Sequence, residues 1–421
     1  MSSNPPASSV ESKKPRLFYG YIVVIAGFIV MAMMWGPIFS FGVFLKPVSA
    51  DFGWTRAMTT GAYSLYMVLH GSLYIITGRI TDRFGPRILV TVCGSLFGLG
   101  FLLMSQISDL WQLYLFYGVF VAIGISGSWV PILSIVARWF VKKRGLMSGI
   151  VSSGMGVGIM IGPPVTSWLI SRYGWSTSFM VIGIIALVLI IPAAQFLKRD
   201  PSQVGMLPDA ESEATEESIT REAKGFSLYE AMHSKRLWLT CAAYFCSGGL
   251  VHAGMVHTVP HATDLGISAI VAANLLVVIG ALSIVGRIGM GRASDKIGNI
   301  LALAVVFVLW MAGFLWLLPA EEAWMLYLFA IAFGFAFGGE NAVMSPLVAE
   351  LFGMKSHGLI FGLVSFIATV GGAIWPLFAA HIFDTTGSYQ LGFLVFAGIS
   401  LVGLMLILTL RRTSRLPVSD A

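Results

Sequence analysis

The chain is built from long apolar runs separated by short polar ones. Twelve runs stand out: residues 18–45, 57–77, 88–105, 110–139, 145–170, 176–197, 237–261, 268–291, 300–318, 324–351, 358–383 and 389–410. A helix needs about 20 mainly apolar residues to cross the hydrocarbon of a bilayer, and it satisfies its own backbone hydrogen bonds where water cannot. The pattern predicts an all-α membrane protein of twelve transmembrane helices. One polar interruption is long. Residues 198–236, rich in Glu, Ser and Lys, read as a flexible linker.

The runs on either side of that linker repeat each other. Asp51-Phe52-Gly53 recurs 213 residues later as Asp264-Leu265-Gly266. At the same offset Gly78-Arg79-Ile80-Thr81-Asp82-Arg83-Phe84-Gly85 returns as Gly291-Arg292-Ala293-Ser294-Asp295-Lys296-Ile297-Gly298, and Gly145-Leu146 as Gly358-Leu359. Gly149 pairs with Gly362, Gly158 with Gly371, Pro163 with Pro376 and Gly174 with Gly387. Chance does not produce so many matches at one offset. The expected architecture is two pseudo-symmetric six-helix bundles, with a substrate site at their interface near the midplane. The boundaries that follow are an N-terminal tail 1–16, a first bundle 17–197, a linker 198–236, a second bundle 237–411 and a C-terminal tail 412–421.

Composition supports lipid as the main solvent. Hydrophobic residues make up 57% and charged residues 11% of 421 positions, against about 25% charged in soluble domains. The net charge of +6 resolves into a topology signal. With the N-terminus cytoplasmic, 22 of the 26 Lys and Arg fall on the inner side, in clusters such as Lys13-Lys14-Pro15-Arg16, Lys142-Lys143-Arg144, Lys198-Arg199 and Arg411-Arg412. Only Lys46, Arg56 and Arg172 fall outside, and Arg287 lies within a span. The positive-inside rule thus places both tails and the linker in the cytoplasm, and no nucleic-acid partner follows. The first apolar run is longer than a signal peptide's apolar region and reads as a retained span. Cys93, Cys241 and Cys246 lie in apolar runs and imply neither a disulfide framework nor a metal site.

The loop Gly78-x-x-x-Asp82-Arg83-x-Gly85-x-Arg87, with its echo at 291–298, resembles the signature between helices 2 and 3 of the major facilitator superfamily. Within it, Trp139-Phe140-Val141-Lys142-Lys143-Arg144-Gly145-Leu146-Met147-Ser148-Gly149, followed by Gly154 and Gly158, looks like the helix 4–5 motif of the monocarboxylate transporter family and its oxalate:formate antiporter relatives. Phe52-Gly53-Trp54-Thr55-Arg56-Ala57 and the stretch from Val259 to Ser268 are similar to the same group. The resemblance implies a major facilitator fold, a transporter's activity and a bacterial member. The chain also departs from the pattern. The first motif is only Arg16-Leu17-Phe18-Tyr19-Gly20-Tyr21, a helix 1 lysine of animal members falls at Phe39, and the Asp one turn before the helix 8 arginine falls at Ser283. Arg287 matches that arginine.

Arg287 is also singled out by position, because a charge inside a span marks a functional site by default. Its guanidinium stays charged and meets a carboxylate with a two-pronged donor fork. The competing reading is that it reaches the cytoplasmic surface along its own stem. No other Lys or Arg lies deep in a span, and helix 11 has none where the resembling dicarboxylate exchangers carry one. One fixed charge favours a short monocarboxylate such as lactate or pyruvate. An inside-negative potential of 100 mV opposes anion entry by about 2.3 kcal/mol per charge, which co-transport of a proton removes.

Glu340, in helix 10, is the candidate proton carrier; hydrogen bonding to the backbone at Gly338-Gly339 or pairing with Arg287 is its structural alternative. His257 is a second candidate for proton or substrate, against ordinary packing; with His261 it has metal-ligand spacing but no third acidic ligand, so no metal is expected. His70 has a weaker claim. Ser283, Tyr117 and Phe335 are candidate contacts with substrate, each with plain helix packing as the alternative. Asp82, Arg83, Arg138, Asp295 and Glu350 cluster at inner helix ends, where ion pairs closing a cytoplasmic gate compete with surface anchoring.

The expectation is a secondary active transporter of a short monocarboxylate, proton-coupled, working as a monomer in a bacterial inner membrane, with no cofactor. An anion exchanger of the oxalate:formate kind is the alternative. The linker and tails are short for a receptor's signalling domain. No nucleophile–base pair, metal cluster or phosphate-cradling loop points to an enzyme.

Overall fold

The computed structural model describes residues 18–210, 225–386 and 388–414. The cluster at Lys13–Arg16, the first two residues of the Arg16–Tyr21 motif, the middle of the linker, Gly387 and the end of the C-terminal tail lie outside the described residues, as do the side chains of Lys46 and Arg56. Among the described residues there is no strand.

Helices α1 (Tyr19–Phe39) and α2 (Phe41–Phe52) realise the first apolar run, with a break at Ser40 after Pro37. Then come α3 (Arg56–Phe84) and α4 (Pro86–Met104). The fourth run is α5 (Leu110–Leu113), a π-helical stretch Tyr114–Val121, α6 (Ala122–Ser126) and α7 (Trp129–Trp139). The fifth and sixth runs are the two arms of the 52-residue α8 (Arg144–Gln195), bent at Gly174, where φ is 78°. After the short α9 (Leu228–Met232) follow α10 (Lys235–Asp264), α11 (Ala269–Ile297), α12 (Asn299–Trp316), α13 (Ala323–Phe352), α14 (His357–Thr386) and α15 (Gln390–Ser414). Among the described residues, ten helices are long and apolar enough to cross a membrane. Counting both arms of α8 and the more polar α3 gives the twelve segments that the apolar runs predict.

The 213-residue repeat is carried down to single turns. Thr55 and Ser268, one repeat apart, each cap a helix by accepting from the backbone N–H three residues on, at 3.2 and 3.4 Å. Such caps satisfy donors that the first helical turn leaves open. Gly85 and Gly298, again one repeat apart, have φ of 83° and 89° and begin α4 and α12. That left-handed conformation favours glycine.

The halves meet most closely at the end of the bundle that carries the basic clusters. A Cβ at Gly149 of α8 would collide with the Arg287 carbonyl oxygen of α11, and one at Gly362 of α14 would collide with the Tyr74 carbonyl oxygen of α3. These are repeat-related contacts, α8 on α11 and α14 on α3, and they need glycine because backbone meets backbone.

The stretch expected to be a flexible linker is anchored at both described ends. Asp209 accepts from the N–H groups of Val141 and Lys142 at 2.8 and 2.7 Å, and Trp139 donates to the Lys198 carbonyl at 2.8 Å. On the other side the Phe226 N–H donates to the Phe352 carbonyl at 2.9 Å. One end docks on the first half, the other on the second.

Candidate functional site

Between the halves lies a cavity of about 330 Å³. Helices α1, α3 and α7 line one side through Trp35, Tyr63, Tyr66, His70 and Trp129; α10, α13 and α14 line the other through His252, Phe337, Glu340, Asn341 and Thr369. Met155, from the first arm of α8, completes the wall.

Arg287 sits immediately behind this wall and is 0% exposed. The reading in which it reaches the surface is therefore excluded. Its Nη1 donates to Ser283 Oγ at 2.6 Å, its Nη2 lies 3.6 Å from Met155 Sδ, and its guanidinium stands 5.1 Å from the centre of the Phe337 ring. Both Met155 and Phe337 face the cavity. Nε has no partner, and among the described residues no carboxylate forms an ion pair with this side chain. A guanidinium presents five N–H donors; a hydroxyl, a thioether and an aromatic face leave most of that capacity unused.

Glu340, 7% exposed, reaches the same cavity but does not pair with Arg287; its Oε1 accepts from Ser247 Oγ at 3.2 Å. Ser283 is in place as the group that holds Arg287, having its own hydroxyl bonded to the Gly280 carbonyl at 2.7 Å. Tyr117 is buried behind the wall, with its ring centroid 4.5 Å from that of Phe41 and 5.6 Å from that of the cavity-lining Tyr66. Phe335 packs at the contact of α13 with α11, its carbonyl against Gly286. His257 turns away from the cavity, with Nε2 3.0 Å from the Pro376 carbonyl oxygen and its ring against Tyr389. His261 packs on Tyr389 and Phe393.

Residues that the sequence left in the background come forward. His70 is 4% exposed, faces the cavity and stacks on Tyr66, and neither of its ring nitrogens has a partner. His252 comes from the opposite half, with Nδ1 2.9 Å from the Gly248 carbonyl. The 213-residue offset relates His252 to Phe39 and His70 to Ser283, so the repeat could have drawn attention to both positions.

At the basic end the expected cluster is assembled differently from a set of ion pairs between halves. Arg138 donates to Asp82 at 3.0 Å within the first half, lies 3.6 Å from Asp200, and reaches the Met354 carbonyl of the second half at 3.0 Å. The carboxylates cross the interface to backbone. Asp82 accepts from the N–H groups of Gly358 and Leu359 at 3.2 and 3.0 Å. Asp295 accepts from those of Gly145 and Leu146 at 2.7 and 2.9 Å. Each grips the first turn of a helix in the other half, α14 or α8, where unpaired N–H groups and the positive end of the helix dipole attract an anion. The motif and the helix starts were visible in the sequence, but their reciprocal pairing required the third dimension. Glu350 accepts from Asn299 at 2.6 Å, and Arg83 lies 5.2 Å from the centre of the Phe84 ring; neither bridges the halves.

Two repeated bundles, a cavity between them and one sealed end define a membrane transporter rather than an enzyme. A sequence profile for the Major Facilitator Superfamily matches residues 23–338 and 262–420, and the chain belongs to that family. It is 27% identical over 406 residues to rat monocarboxylate transporter 13, covering 95% of this chain and 91% of that one. It is also 27% identical to the oxalate:formate antiporter of Oxalobacter formigenes, over 87% of this chain and 85% of that one. The fold is shared with the Escherichia coli fucose:proton symporter, at 15% identity and a TM-score of 0.71, covering 93% of this chain and 99% of that one. A proton:xylose symporter aligns with a TM-score of 0.72 at 12% identity, over 93% and 95%.

Proposed function

We propose that the protein is a secondary active transporter of a monocarboxylate, coupled to protons, and that it works by alternating access around the cavity between its halves. The observation that carries this reading is Arg287: a wholly buried guanidinium beside the cavity, held by a serine and with no carboxylate in ion-pair contact among the described residues. Burying a charge with no counter-ion in contact is costly, and the donors that the serine and the thioether leave unused suit a substrate carboxylate. Met155, an unbranched and adaptable side chain, stands between the cavity and the guanidinium and has to move for contact.

The substrate's valence follows from the count of buried cations. The cavity wall presents no Lys or Arg, and α14 contributes none, so a single carboxylate is matched and a dicarboxylate is not. Glu340 is the proton-binding group in this scheme, because it is a carboxyl at the same cavity with one hydroxyl partner. His257 is set aside from that role by its packing against Pro376. The basic end is cytoplasmic under the positive-inside rule, in a bacterial inner membrane. The Asp82 and Asp295 contacts, supported by Arg138, close it. One chain holds the complete cavity, so a monomer suffices.

Uptake into proteoliposomes tests the reading. A pH gradient alone, acid outside, is expected to drive accumulation of a monocarboxylate, and Arg287→Ala is expected to abolish both binding and uptake while leaving thermal unfolding close to wild type. Uptake that needs a counter-anion inside and ignores the pH gradient would make the protein an exchanger. Normal binding by Arg287→Ala would remove the arginine from the site.

A further inference from the structure

We propose that the transported acid carries an aromatic ring with a hydrogen-bonding substituent, which His70 reads, so that lactate-sized acids are poor substrates. This rests on the monocarboxylate reading and specifies the body of the molecule that bears the carboxylate. A three-carbon acid placed next to Arg287 would leave most of the 330 Å³ cavity as water against apolar rings. Cavities that enclose ligands of drug size begin at about 300 Å³.

The wall has the chemistry of a ring site. Trp35, Tyr63, Tyr66, Trp129 and Phe337 face the cavity from both halves. Met67, Met155, Met255 and Met344 fill in between them. Flat rings gain from offset and edge-on contact with other rings, and thioethers pack favourably against ring edges. Trp35 and Trp129 already stand edge-on to one another at 6.3 Å, and His70 stands edge-on to Trp35 at 5.7 Å. Aliphatic side chains would serve a featureless short acid equally well; this wall is biased toward planar ligands.

The substituent is argued from a separate observation. His70 is almost fully buried and lines the cavity, and both of its ring nitrogens lack a partner. Trp35, its neighbour, also has a buried and unpartnered Nε1. A buried polar atom without a partner is unfavourable, and here two side chains share that condition on one patch of wall. A ring hydroxyl, donor and acceptor at once, would satisfy the facing His70 nitrogen in either tautomer, and a ring N–H would satisfy it where that nitrogen is the acceptor. With the carboxylate toward Arg287 and the ring among the aromatic walls, the substrate class is an aryl-substituted monocarboxylate such as a hydroxyphenyl or indolyl acid.

The test is a ligand series on the purified wild-type protein in detergent, read by calorimetry: lactate, phenylacetate, 4-hydroxyphenylacetate and indole-3-acetate, with the uncharged 4-hydroxyphenylethanol as control. The aryl acids are expected to bind at least about 100-fold more tightly than lactate. The hydroxylated ring should gain about tenfold over phenylacetate, and His70→Leu should erase that gain, so that the two acids bind the variant alike. Lactate binding as tightly as the aryl acids, with binding still dependent on Arg287, would overturn the aromatic assignment and leave the monocarboxylate reading standing. The uncharged control binding as tightly as its acid would overturn the monocarboxylate reading instead. An unchanged hydroxyl preference in His70→Leu would remove His70 as the reader.

Discussion

Replacing Asp295 by asparagine, and separately Asp82, perturbs the seal at the basic end with almost no change in shape. The Asp295 carboxylate holds two N–H groups at 2.7 and 2.9 Å. In asparagine one of the two oxygens becomes an NH₂ that faces a donor, so one bond is lost and the other becomes a neutral bond. Hydrogen bonds to charged groups contribute about 1.5–3 kcal/mol and neutral ones about 0.5–1.5, so the sealed conformer should lose roughly 2–4 kcal/mol. That corresponds to a shift of about 30- to 1,000-fold toward conformers open at this end. Asp82→Asn should shift the equilibrium similarly, and it also loosens the 3.0 Å pair that steadies Arg138, whose contact with the Met354 carbonyl crosses to the second half. The assay is maleimide labelling of a cysteine placed at Ser148, fully buried in the sealed conformer, after replacing the three native cysteines. Both variants should label faster from the basic side only. Unchanged labelling in both, with folded protein, would refute the claim that these contacts hold the seal.

Other outcomes follow from the same geometry. Arg287→Lys keeps a charge but loses the fork, so affinity for a monocarboxylate should fall about tenfold, read by calorimetry, where Arg287→Ala loses binding. Glu340→Gln can still accept from Ser247, and it should lose uptake driven by a pH gradient while keeping exchange of labelled for unlabelled substrate; retained gradient-driven uptake would exclude Glu340 as the proton carrier. Gly149→Ala places a methyl against the Arg287 carbonyl oxygen and should destabilise the sealed conformer by about 1–3 kcal/mol, seen as slower transport and faster Ser148→Cys labelling. Gly362→Ala, its repeat partner against Tyr74, should do the same.

Much of the fold was legible because lipid imposes a simple rule: apolar length reads as a span, and the internal repeat fixes how spans group. The repeat even located the glycines at which the halves touch. Within the site, Arg287 and Glu340 stood out because charges in apolar runs are rare, and Ser283 because it lies one turn from Arg287. His257 is a second candidate in the sequence with ordinary packing as its alternative, since a span's residues do not announce which flank faces a partner helix; in the fold its ring nitrogen lies 3.0 Å from the Pro376 carbonyl oxygen. Phe335 was on the right helix but on its α11 flank, whereas Phe337, two residues on, lines the cavity. The aromatic lining was hidden for a related reason. Trp35, Tyr66 and Trp129 look like ordinary packing until α1, α3 and α7 are brought side by side around one space.

The bend at Gly174 bears on how the first half moves. A single residue at φ 78° turns the chain between the two arms of α8, so the joint has no slack segment to absorb a displacement. Glycine takes this conformation at no steric cost, so a side chain at position 174 would reset the angle between the arm that carries Gly149 and Met155 and its companion.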